Sequence, residues 1–134
     1  MVILKIQIEN SNAIALNTVA RDLMVNVNAA YLESIILNLL TNAIKYRQPD
    51  RYPIIEIDCY SSDKDELTLK VRDNGLGINL AKYKDQLFGI FKTFHGSKDA
   101  KGIGLYITKF QVEAMRGQID VESEEMKGST FIIQ

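Results

Sequence analysis

Val2 to Ile8 alternates, with Leu4, Ile6 and Ile8 on one face and Lys5 and Gln7 on the other. A period of two predicts a half-buried strand, and Asn10-Ser11-Asn12 breaks it. Leu23, Val25 and Val27 alternate again and predict a second extended segment. Asn28 is placed to cap a helix over 29–46. Within it Leu32, Ile36, Leu39 and Ala43 recur at helical spacing and predict a buried stripe. Gln48-Pro49-Asp50 ends that run. Ile54–Tyr60 and Leu67–Asp73 alternate on either side of the polar Ser61-Ser62-Asp63-Lys64-Asp65 and predict antiparallel neighbours. A glycine-bearing loop and a basic, mixed stretch from Asn79 to Lys101 follow. Leu105–Arg116 predicts a second strong helix, with Gly117 as its stop signal. Gln118–Ser123 and Ser129–Ile133 predict a closing hairpin turned around Lys127-Gly128. The expected architecture is α+β: a two-layer α/β sandwich, a mixed sheet with helices on one face.

Composition narrows the options. The 134 residues suit one domain, 1–134, in which 1–24 forms an N-terminal strand and connecting segment. Hydrophobic residues make up 46% of the chain and charged ones 25%, with a net charge of −1. Such a balance gives no global field toward nucleic acid or anionic lipid. The single cysteine, Cys59, sits in an alternating run and reads as a small core residue; a reducing compartment fits it. A lone His argues against zinc. No apolar run approaches the roughly 18–20 residues that span a bilayer, and the N-terminus carries no signal-peptide pattern.

Three constellations carry chemistry. In Asn38-Leu39-Leu40-Thr41-Asn42-Ala43-Ile44-Lys45-Tyr46, the amides of Asn38 and Asn42 stack at i and i+4 on one helical face, with Lys45 one turn on. Two amides and an ammonium can hold a hydrated divalent cation and phosphate oxygens, since Mg²⁺ takes oxygen ligands and leans on substrate phosphates; a solvated helix face has the same composition. In Val71-Arg72-Asp73-Asn74-Gly75-Leu76-Gly77-Ile78, Asp73 shares the parity of Leu67, Leu69 and Val71, so its carboxylate points to the core and must be satisfied there. An adenine amino group is one such partner, and Gly75 and Gly77 would let the backbone approach a flat ring; Asp-Asn-Gly is also ordinary turn chemistry. In Ala100-Lys101-Gly102-Ile103-Gly104-Leu105-Tyr106, glycines open a helix whose backbone N–H groups make an anion cradle. Neither glycine pair continues into a dinucleotide fingerprint, and no P-loop occurs.

The order N-x-x-x-N-A-I-K-Y, D-x-G-x-G, G-x-G-L resembles the Bergerat-fold ATPase superfamily of gyrase B, the MutL repair proteins, a heat-shock chaperone and the histidine kinases. The likeness covers roughly residues 25–134 and is closest to the histidine kinase branch. Leu87–His95 is similar to that branch's ATP lid, and Gly128-Ser129-Thr130-Phe131 to its last strand. The lid wording through Thr93-Phe94-His95-Gly96 looks like a subgroup of bacterial sensor kinases. The resemblance implies a catalytic role for Asn38, Asn42 and Lys45, with Mg²⁺ on Asn42 and phosphates on Lys45. Tyr46 would border the nucleotide, and Asp73 would bind the adenine amino group. Gly75, Gly77 and Ile78 would shape the base pocket, and Thr130 would lie close to Asp73. Gly102, Ile103, Gly104 and Leu105 would meet phosphates, beneath a lid crowded by Lys92, His95, Lys98 and Lys101.

Hydrolysing members of the superfamily place a Glu where Asn38 stands, and an amide cannot accept a proton from water at neutral pH. Asn38 therefore points to phosphoryl transfer. The implied activity is that of a protein histidine kinase in two-component signalling, using ATP and Mg²⁺. Its partners would be the dimerisation and phosphoacceptor domain of the same kinase and, indirectly, a response regulator, with no nucleic acid and no direct membrane insertion. The expected location is the cytoplasm, free or as the cytoplasmic part of a membrane-bound sensor. Two other readings are a degenerate nucleotide-binding interaction module and an anti-sigma-type serine kinase. His95, in the lid before a glycine, is not the expected phosphoacceptor.

Overall fold

A computed structural model describes residues 14–17, 28–61, 66–89 and 104–134, with only the backbone considered for 14–17. The strand expected at Val2–Ile8, the extended segment Leu23–Val27 and residues 90–103, with the expected lid segment Leu87–His95 beyond Gly89, lie outside the described residues.

Helix α1 spans Ala29–Lys45. Asn28 caps it as expected, its side-chain oxygen accepting from Tyr31 N at 3.1 Å. At the other end the Arg47 guanidinium donates to Ile44 O at 2.7 Å and satisfies a terminal carbonyl. The buried stripe is Ile35, Leu39, Leu40 and Ala43. The predicted Leu39 and Ala43 belong to it, whereas Leu32 and Ile36 pack at its margin. The helix rests on the sheet and on a second helix together, so its apolar arc is wider and rotated from the single-sided stripe.

Strands β1 (Ile14–Asn17), β2 (Ile54–Ser61) and β3 (Leu67–Asp73) form one side of the sheet. A short helix α2 (Leu80–Tyr83), capped by Asn79, and a single 3₁₀ turn lead to the buried Leu87. Helix α3 (Gly104–Ala114), β4 (Ile119–Glu124) and β5 (Gly128–Ile133) complete the fold. The sheet order is β1-β2-β3-β5-β4. Only β1–β2 is parallel; the other neighbours run antiparallel, as expected for the β2–β3 pair and the closing hairpin.

Register sorts the two faces. Ile55 and Ile57 of β2, Leu69 and Val71 of β3 and Phe131 of β5 share the parity that meets the helices. With Ile35, Leu39, Leu40 and Val112 they form the core, where Cys59 packs at the edge as a small apolar residue. Each fully buried Leu or Ile contributes about 1.5–3 kcal/mol. Glu56, Arg72, Asp120 and Glu122 occupy the exposed, opposite face. The result is the expected two-layer sandwich with a mixed sheet.

Two local expectations need correction. The residue in the left-handed region after α3 is Arg116 (φ 63°), not Gly117. Gly117 is required instead by crowding: a Cβ there would sit 2.5 Å from Gln134 O, where Gln118 and Gln134 exchange backbone hydrogen bonds of 3.0 Å. The hairpin turn also falls earlier than Lys127-Gly128. It runs through 125–127 with Met126 at φ 65°, and Gly128 already pairs with Glu124.

Candidate functional site

Asp73 ends β3 on the core-facing side, in register with Ile55 and Ser129. Its Oδ1 accepts from Gly75 N at 2.9 Å, and Ser129 N also donates to the carboxylate. Burial pushes the carboxyl above its ordinary value, against the pull of these two N–H groups. A carboxylate can accept about four hydrogen bonds, so acceptor capacity remains for a ligand donor.

The loop after Asp73 is held from three sides. Leu76 N donates to Tyr46 O at 2.8 Å and Met126 N to Leu76 O at 2.6 Å. Asn74 pins the entrance of β2, accepting from Ile54 N at 2.8 Å and donating to Tyr52 O at 3.1 Å. Gln48, 1% exposed, donates through Nε2 to Gly75 O at 2.9 Å and Met126 O at 2.8 Å, with Asn74 O at 3.3 Å.

The protein's own backbone explains both glycines. A Cβ on Gly75 would lie 2.6 Å from Tyr46 O. Gly77 has φ +69°, and a Cβ there would collide with Glu124 O. Contacts within the protein are enough to require glycine at both positions.

Ile78 N donates to Ser123 Oγ at 2.7 Å, and Ser123 Oγ reaches Gly128 O at 2.9 Å. With its one hydroxyl hydrogen directed to Gly128, Ser123 accepts from Ser129 Oγ across 2.7 Å. The β4–β5 hairpin is thereby tied to both ends of the glycine loop.

The other half of the site lies where α1 meets α3. Asn38 Nδ2 donates to Thr108 Oγ1 at 3.4 Å, and Thr108 Oγ1 donates to Gly104 O at 2.8 Å. This relay uses the Asn38 nitrogen and leaves its Oδ1 as an oxygen donor, one turn from the half-buried Asn42. Paired amide oxygens fit a hard cation that keeps much of its water. At Gly104, the first residue of α3, a Cβ would meet nothing within 4 Å among the described residues. Backbone N–H groups at such a helix start favour anions. Lys45 is exposed at the end of α1, and the half-buried Tyr46 follows as its cap; burial raises the Tyr46 hydroxyl's pKa.

The fold thus joins Asn38 to the start of α3, and Asp73, Gly75 and Gly77 to Tyr46 and Ile78. Leu105 packs against the core at the foot of α3. Lys101, Gly102, Ile103 and His95 lie outside the described residues. Thr130 is a correction. It pairs with Arg72 and shares the opposite face, while Ser129 stands across from Asp73. The period of two forces this exchange: one step along β5 reverses the face. Sequence reasoning also missed Gln48, Thr108 and Ser123. The apolar spacing of α3 held the only signal for Thr108, four residues after Gly104.

These features belong to the Bergerat type of ATP-binding sandwich. Residues 27–134 match the family of histidine kinase-, DNA gyrase B- and HSP90-like ATPases, and the chain belongs to that family. It is 38% identical over 109 residues to cyanobacterial phytochrome A of Nostoc sp., covering 80% of this chain and 14% of that protein. To the methanogenesis regulatory histidine kinase FilI of Methanothrix harundinacea it is 32% identical over 108 residues, 81% of this chain and 12% of the relative. The chain therefore spans a small part of these relatives. Among solved structures, the mycobacterial sensor histidine kinase MprB superposes with a TM-score of 0.81 at 23% identity, over 97% of this chain and 88% of the other. Full-length ShkA in complex with AMPPNP gives 0.81 at 21% identity, over 98% and 27%. No helix among the described residues is long and apolar enough to cross a membrane.

Proposed function

We propose that this domain binds ATP with Mg²⁺ and presents the γ-phosphoryl group to a histidine on a separate dimerisation domain of a two-component kinase. The observation that carries the reading is Asp73. It is a carboxylate at a strand end, fixed by Gly75 N and Ser129 N with acceptor capacity to spare. An adenine amino group is a donor that suits it. At the other end Asn38 and Asn42 offer amide oxygens, Lys45 an ammonium and Gly104 the backbone start of a helix. Bound there, Mg²⁺ would neutralise charge on the phosphate oxygens. The side chains position the triphosphate, and positioning with charge neutralisation accounts for most of phosphoryl-transfer catalysis.

Asn38 favours transfer over hydrolysis, because its amide takes no proton from water and its nitrogen is already committed to Thr108. The likeness to ShkA, solved in complex with AMPPNP, and to relatives named as histidine kinases supports the same reading. The partners are then the phosphoacceptor domain and, through it, a response regulator, in the cytoplasm. Calorimetry with ATP and Mg²⁺ should show binding. Radiolabelled ATP should leave the 134-residue chain unlabelled while a separately supplied cognate phosphoacceptor domain takes up phosphate. No heat on titration, or label on this chain alone, would refute the proposal.

A further inference from the structure

Gln48 is buried three residues beyond the end of α1. A hydrocarbon side chain of the same length would fill that space without desolvating an amide. The amide instead grips carbonyls from two separate segments, Gly75 in the loop and Met126 in the hairpin turn, with Asn74 O within 3.3 Å. Its Oε1 finds no donor among the described residues, so the contribution of this side chain lies in its NH₂ group. Gly75 is consequently held on both sides, its N–H by the Asp73 carboxylate at 2.9 Å and its C=O by Gln48 at 2.9 Å. Turning either peptide that flanks Gly75 would break one grip or the other.

We propose that Gln48 is a positioning residue for nucleotide-base selection: by fixing the Gly75 carbonyl and the Met126 turn, it orients the Asp73 carboxylate toward the exocyclic amino group of adenine. The inference rests on the ATP reading above. Gln48 acts through Gly75 and Asp73 and has no bond to the Asn38–Thr108–Gly104 relay. Its loss should therefore weaken recognition of the amino group and leave the phosphate end in place.

The test compares ATP with purine riboside triphosphate, which lacks the amino group, both with Mg²⁺, on the full chain. Gln48→Met removes the donor at similar length; Gln48→Asn keeps the amide but withdraws it by one methylene. Wild type should prefer ATP about tenfold or more, as expected of a charge-assisted hydrogen bond. In Gln48→Met that ratio should fall severalfold, to within about threefold of one, through lost ATP affinity, with the amino-free nucleotide bound within about twofold of wild type. Gln48→Asn should shift the ratio the same way. A purely structural role would weaken both nucleotides by the same factor, and that result overturns the proposal. So does an unchanged ratio in a folded variant, or the failure of both variants to fold. If wild type binds neither nucleotide, the ATP reading itself falls. If it binds both equally, ATP binding stands and base selection through Asp73 and Gln48 does not.

Discussion

Replacing Asp73 with Asn tests the base end directly. The change keeps size and shape but turns one carboxylate oxygen into an NH₂ group. The remaining oxygen can still accept from Gly75 N, 2.9 Å away in the wild type. The new NH₂ must then face either Ser129 N, which donates to the native carboxylate, or the donor of the ligand. Both are donor–donor conflicts. A hydrogen bond to a charged group contributes about 1.5–3 kcal/mol, which at 1.4 kcal/mol per decade makes ATP binding about ten- to a hundredfold weaker. Stability should move little, because removal of a buried charge offsets the lost acceptor; the melting temperature should stay within about 4 °C.

The pH dependence follows from the same carboxyl. Its folded pKa is raised by burial, so its contribution to stability is fully present below the unfolded value and is lost as pH rises through the folded one. Asp73→Asn removes that dependence, and the variant should gain on wild type between acid and neutral pH. Wild-type ATP affinity should fall as pH drops through the raised pKa, because protonation removes an acceptor. Calorimetry across pH with parallel thermal melts checks both. A folded Asp73→Asn chain that binds ATP within twofold of wild type refutes the assignment.

Gly104→Ala separates folding from phosphate binding: a Cβ there meets nothing within 4 Å among the described residues and alanine is the better helix former, so stability should be unchanged or rise by up to about 1 kcal/mol. ATP affinity should drop severalfold where the methyl fills the space above the helix start, and unchanged affinity by calorimetry would remove Gly104 from the phosphate site. Arg116→Gly should stabilise the domain in urea by roughly 1 kcal/mol or less, because it relieves a left-handed residue at φ 63° at some cost in unfolded-state entropy. A loss of stability would show that the Arg116 side chain contributes more than its backbone conformation costs.

Long periodic segments were readable because burial repeats along them. The Asn28 cap, the span of α1, the β2–β3 pairing and the inward carboxylate of Asp73 all follow from period and parity. Strand β1 was not readable: four residues, Ile14–Asn17, are too few to show a period. The buried stripe of α1 is rotated from the one its spacing predicts, because spacing cannot reveal that two surfaces cover the helix. In sequence Gln48 is only part of a helix stop, since its partners are carbonyls 26, 27 and 78 residues away. Thr130, expected close to Asp73, stands one step along β5 from Ser129, the residue that pairs with Asp73.

The missed residues share a physical role. Thr108 connects Asn38 to the first turn of α3, and Gln48 connects the segment after α1 to the base loop. The carbonyl of Tyr46 makes a second link to that loop through Leu76 N. One helix therefore touches both ends of the proposed nucleotide site. From Asn38 to Lys45 it rises about 10 Å at 1.5 Å per residue, and Leu39, Leu40 and Ala43 bury it against the core. The segment that carries Asn38 thus also supplies, at Tyr46 and Gln48, the contacts that hold the loop after Asp73. Gly75 and Gly77 belong to the same arrangement, since a Cβ on either would run into the backbone of Tyr46 or Glu124.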